Sequence, residues 1–69
     1  MDNTNMGLRL RELRVGRGLQ QGEVARRLGV SPAYLSLIEK GKRALQLPLL
    51  WKALELYGLG MEEFMASVG

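Results

Sequence analysis

Between Gln20 and Lys40 the chain reads QQGEVARRLGVSPAYLSLIEK, and the four residues Gly29-Val30-Ser31-Pro32 at its centre constrain the fold more than any other feature. Val24, Ala25 and Leu28 recur at helical spacing before them, and Leu35 and Ile38 resume the period afterwards. Gly29 suits the left-handed position that ends a helix, because it has no Cβ to clash. Ser31 is a good N-cap for the segment that follows, and Pro32 fits its first helical position, where no amide hydrogen is needed. Ala25 is small where a second helix must approach closely. The spacing predicts two short helices joined by a tight turn.

Sixty-nine residues allow one domain, 1–69, whose core is small for its surface. Neither cysteine nor histidine is present, which removes disulfides, zinc sites and imidazole catalysis together. No run approaches the 18 or so apolar residues of a membrane span, and the N-terminus lacks the apolar core of a signal peptide. The expectation is a soluble, cytoplasmic protein without metal or cofactor. Ten basic residues against seven acidic give a net charge of +3, which is compatible with a polyanionic partner. Position says more than the sum: Lys40, Lys42 and Arg43 cluster after the second motif helix, while Glu55, Glu62 and Glu63 lie towards the other end.

The remaining text extends the reading to five helices and no strand. Met1 to Thr4 is polar and expected to fray, with Asn5 capping a first helix at about 6–16. Met6, Leu10 and Leu13 form its inner stripe, and Gly16-Arg17-Gly18 ends it. The second helix opens at Gln20-Gln21-Gly22-Glu23, where Glu23 is placed to fold back on the first free amides. The third runs from Pro32 to about Lys40 and stops at Gly41. On its wheel Leu35 and Ile38 point inward, while Ala33, Ser36, Leu37 and Lys40 fall on the opposite side. Glu39 lies about 40° from Leu35, so its carboxylate sits at the buried edge and needs a partner. Arg14, one turn beyond Leu10, is the natural one. After a loop, a fourth helix spans about 47–57 and is apolar nearly all round: Leu47, Leu50, Leu54 and Tyr57 make one stripe, and Leu49, Ala53 and Leu56 a second, with Trp51 between. Such a helix must be covered nearly all round. A last short helix carries Met61, Phe64, Met65 and Val68.

Gln21, Glu23, Ala25, Gly29, Ser31, Tyr34-Leu35-Ser36, Ile38-Glu39 and Gly41-Lys42-Arg43, with Leu13-Arg14 and Gly18-Leu19 before them and Gly58-Leu59 and Glu63-Phe64 after, resemble the Cro and phage-repressor (XRE-like) helix-turn-helix family. The resemblance covers residues 8 to 65. It implies an all-α, lambda-repressor-like domain whose second motif helix enters the DNA major groove, and an Arg14–Glu39 ion pair. In it the N-terminus of the second helix, with Gln21, would hold a phosphate, and Ser31, Pro32 and Ala33 would start the third helix near base edges. Tyr34 matches a backbone-contacting position. Ser36 and Leu37 lie on the reading face, and Lys40, Lys42 and Arg43 would hold phosphates, Arg43 also being within reach of a base. Two departures stand out. Ala33 and Leu37 occupy positions where relatives often carry Gln, Arg or Ser, and the usual Leu-Ala pair of the fourth helix appears as Ala53-Leu54.

Catalysis is set aside because no nucleophile and base stand together. Ser36 occupies the position where a phosphate-binding loop ending at Gly41-Lys42 needs its first glycine, and Gly16-x-Gly18 lacks a third glycine and a preceding strand. Glu62 and Glu63 are a first-turn pair favoured by the helix dipole. The resemblance implies a stand-alone transcriptional regulator, a repressor acting as a homodimer on a palindromic operator. The two-striped apolar surface of the fourth helix, joined by Phe64 and Met65, predicts that the dimer forms through the fourth and fifth helices (47–68), with Leu49, Trp51, Ala53, Leu56, Phe64 and Met65 at the interface. At this length no room is expected for an effector domain. The alternative from another class is a protein-interaction module, such as an antitoxin, whose apolar fourth helix binds a partner protein and whose DNA binding is secondary.

Overall fold

A computed structural model describes residues 3–68. Five helices follow one another: α1 (Asn3–Gly16), α2 (Gln21–Leu28), α3 (Pro32–Glu39), α4 (Leu47–Tyr57) and α5 (Met61–Val68). No strand occurs among the described residues. The body measures 27 × 24 × 21 Å. Helix ends fall within a residue or two of expectation except at the start. Asn3 and Thr4 are already helical, so Asn5 lies inside the first turns of α1 and is not its cap. The rest of the fraying expected there concerns Met1 and Asp2, which lie outside the described residues.

The turn between α2 and α3 forms as its residues dictate. Gly29 takes φ 78° and ψ 27°. Val30 N–H donates to the Ala25 carbonyl at 3.0 Å, and Gly29 N–H to that of Arg26 at 3.2 Å. These bonds occupy two of the last four carbonyls of α2. Ser31 then caps α3, its Oγ accepting from Tyr34 N–H at 3.1 Å, with Pro32 in the first turn. Glu23 behaves differently from expectation. Its carboxylate pairs with Arg27 one turn on at 3.3 Å, and the first turn of α2 has no side-chain cap.

The core gathers one stripe from each helix: Leu10 and Leu13, Val24, Ala25 and Leu28, Leu35 and Ile38, Leu50, Ala53, Leu54 and Tyr57, and Phe64 and Val68. Leu45 joins them from the loop before α4. Arg17, which the sequence marked only as part of a helix end, closes the other side. Its Nε donates to the Tyr57 carbonyl at the end of α4 at 3.0 Å, its Nη1 donates to that of Leu13 at 3.2 Å, and its guanidinium lies 5.6 Å over the Tyr57 ring. Burial pushes the Tyr57 hydroxyl up to about 12, with the Glu39 charge adding to the shift and Arg14 and Arg17 opposing it. Arg9 ties α1 to α5, its Nε donating to Ser67 Oγ at 3.0 Å.

Two contacts fix α3 against α1. Gly7 is buried, and a Cβ built on it would overlap the carbonyl oxygen of Ile38 and stand 3.4 Å from Glu39 Cα. One residue on, the Glu39 carboxylate is 1% exposed. Arg14 meets it with two donors, Nε to Oε2 at 2.9 Å and Nη2 to Oε1 at 3.1 Å, while Arg14 Nη1 donates to the Leu19 carbonyl at 2.9 Å. The bond to Glu39 raises the Arg14 pKa above its ordinary value, against the opposing effect of burial.

Arg14→Ala and Glu39→Ala are each expected to cost about 3–5 kcal/mol, since deleting one partner leaves the other buried and unpaired. That is a large part of what a small domain holds. Thermal melts should show both falling well below any exposed-charge variant such as Glu62→Ala, and unchanged midpoints for both would mean that the two ions are solvated. Gly7→Ala is expected to lower the midpoint by forcing α1 off α3, at about 1–3 kcal/mol. Gly22→Ala is the contrasting case: nothing lies within 4 Å of its added Cβ, so alanine there should hold or raise stability by up to about 1 kcal/mol.

Candidate nucleic-acid interface

With Leu35, Ile38 and Glu39 turned into the core, α3 has one outward face. Ala33, Ser36, Leu37 and Lys40 share an arc of about 100° on it, and Pro32 borders them at the N-terminal end. Pro32, Ala33, Leu37 and Lys40 are exposed and Ser36 is half-buried. Leu37, at 38% exposure, lies outside the buried core.

Cations border it. Lys40 ends α3 in a right-handed conformation, and Gly41 turns the chain with φ 76°. Lys42 N–H returns to the Leu37 carbonyl at 2.8 Å, which holds the start of the loop against the helix. Lys40, Lys42 and Arg43 are exposed, and among the described residues none forms an ion pair. The Arg43 guanidinium lies 5.2 Å over the ring of Tyr34, a cation–π contact. Two residues expected to act separately on a ligand are thus joined.

Gln21 differs from expectation. Its side chain turns inward, Nε2 donating to Glu39 Oε1 at 3.0 Å, so it completes the shell of the buried carboxylate. The backbone amides at the start of α2 have no side-chain cap and remain free to meet an anion. On the other side of Tyr34 a groove of about 280 Å³ runs between Leu28, Gly29 and Val30 and the start of α4 at Gln46, Pro48, Leu49 and Lys52. Gln46 and Lys52 are exposed along it. Neither stood out in the sequence, because only the fold brings the start of α4 beside the motif.

The surface expected for self-association is altered. Ala53 and Phe64 are 1% and 0% exposed within a single chain, so they belong to the core and have nothing to offer a partner. Leu49 lies in the groove beside Tyr34, and Leu56 and Met65 pack partly against the core. Trp51 remains, 56% exposed, with Leu47 at 63% one turn before it. Trp51 also lines a cavity of about 160 Å³ with Leu54, Glu55, Leu59, Gly60 and Met61. No group of metal-ligating side chains occurs among the described residues, and no helix there is long and apolar enough to cross a membrane.

Comparison with known proteins agrees with this geometry. The family profile that matches, over residues 10–64, is described as helix-turn-helix. A curated relative, the HTH-type transcriptional regulator RamB of Mycobacterium tuberculosis, is 39% identical over 67 residues. That match takes in 97% of this chain and only 14% of the relative. Among solved structures, the clp gene regulator ClgR from C. glutamicum superposes with a TM-score of 0.88 at 27% identity, covering 96% of this chain and 86% of that one. The restriction-modification controller protein C.AhdI from Aeromonas hydrophila gives 0.81 at 31% identity, covering 90% and 94%.

Proposed function

Because the chain belongs to the Cro and phage-repressor (XRE-like) helix-turn-helix family, we propose that it binds double-stranded DNA as a homodimeric transcriptional regulator, repressing from a roughly palindromic site. The observation that carries this reading is the outward face of α3, bordered by the exposed Lys40, Lys42 and Arg43, none of which forms an ion pair among the described residues. The α3 face enters the major groove and reads base edges. The three cations and the free amides of α2 hold phosphates on either side and so fix register. Repression follows if the occupied site overlaps a promoter.

The dimer places two copies of α3 about one helical turn of DNA apart. Leu47 and Trp51 are its candidate contact, since they form the largest exposed apolar pair on α4. Sedimentation at micromolar concentration should give twice the chain mass, and Trp51→Glu should return it to one. A wild-type chain that stays folded and monomeric under those conditions excludes the dimer. A wild-type chain that binds no duplex, yet uses Trp51 to hold another protein, favours the interaction-module reading instead.

Gel shifts on random duplex, with melting curves as the control, test the interface. Leu37→Glu should keep the melting temperature and abolish binding, because it pushes a carboxylate into a strongly negative groove. Lys42→Ala should weaken all duplexes alike and flatten the dependence of log K on log salt by about 0.9 for the phosphate it releases. Should Leu37→Glu fold normally and bind as tightly as wild type, α3 is not the reader.

A further inference from the structure

We propose, resting on the DNA-binding reading above, that this chain selects its site by thymine methyl groups, with Ala33 and Leu37 as the specificity-determining residues. The argument is one of elimination on the reading face. The polar side chains near it lie at its margins or are partly engaged elsewhere. Gln21 donates to Glu39 at 3.0 Å. Ser31 Oγ accepts from Tyr34 N–H at the N-cap, ahead of the helical face, and Arg43, on the loop, lies over the Tyr34 ring. Ser36 is half-buried, and Lys40 is at the far end of the helix. The exposed residues over the first turns of the face are apolar: Pro32, Ala33 and Leu37.

In the major groove every base edge offers donors or acceptors, and thymine alone adds a methyl group at C5. Leucine pressed on a polar edge strips its water and returns no hydrogen bond. Pressed on a methyl, it buries apolar surface on both sides. A face of this composition discriminates by exclusion as much as by attraction. Ala33 and Leu37 are one turn apart, about 6 Å along the axis, close to two base-pair steps at about 3.4 Å each. With α3 along the groove, each half-site then presents two thymines in neighbouring or next-but-one positions.

The test uses the full chain and duplexes that it selects from a random pool. Each selected duplex is remade with deoxyuridine at one thymidine position at a time, which removes the methyl and keeps every hydrogen-bonding group and phosphate. At one or two positions in each half-site the exchange should weaken binding by about fourfold, the value of one buried carbon. In Leu37→Ala the exchange at the position facing residue 37 should have no effect, while the melting temperature stays at the wild-type value because Leu37 lies outside the core. Deoxyuridine tolerated at every position by the wild-type chain overturns the methyl reading and leaves DNA binding standing. So does a pool that is bound in a salt-dependent way without enrichment of any sequence. A pool that yields no bound duplex overturns both.

Discussion

The carboxylate of Glu39 is where three helices meet. It receives two donors from Arg14 in α1 and one from Gln21 in α2, while it belongs to the last turn of α3. A buried carboxylate is costly unless its lone pairs are met, so the helices come together only where all three donors reach it. No buried side-chain polar atom among the described residues lacks a partner. The fork of an arginine on a carboxylate has a direction as well as a strength, and here it sets the roll of α3 about its own axis. Gly7 makes the same demand in steric form, one residue away, at the Ile38 carbonyl. Between them these contacts decide which side of α3 is left to face outward.

Much of this was legible in the sequence because it depends on local periodicity. The helix boundaries of α2, α3 and α4, the cap at Ser31 and the left-handed Gly29 all follow from chemistry within a few residues. Glu39 could be placed because a wheel that buries Leu35 and Ile38 leaves it nowhere else. What stayed hidden depends on distance in space. Gly7 looked like one glycine among nine until α3 was seen to lie on it. Arg17 sits beside a helix end in sequence, yet its partner carbonyl is 40 residues away. Gln21 was assigned to a phosphate because nothing local shows that Glu39 is within its reach.

The reading of α4 failed for a related reason. A wheel tells which residues share an angle, not which angle faces the core. Two apolar stripes were recognised, and the second, Leu49, Ala53 and Leu56, was assigned to a partner, although Ala53 lies within the buried arc. The true arc is Leu50, Ala53, Leu54 and Tyr57, with Leu49 and Leu56 on one flank and Leu47 and Trp51 on the other. The flanks face different neighbours: one adjoins Tyr34 across a groove, the other the start of α5. An apolar residue is informative about assembly only after the monomer has taken what it needs, and Phe64 was taken entirely.

The stacking of Arg43 on Tyr34 bears on the cost of ordering a charged side chain at the moment of contact. An arginine on a loop ordinarily samples many rotamers and has to be ordered at the moment of contact, at about 0.5–1.5 kcal/mol for a side chain of this kind. Held over a ring that is itself anchored on α3, the guanidinium of Arg43 has surrendered part of that freedom before any ligand arrives. Its position also becomes correlated with that of Tyr34, so substitutions at 34 and 43 should not act independently. Loop and helix then meet an incoming surface as one preorganised unit, and a change at the ring is felt by a charge nine residues further along the chain.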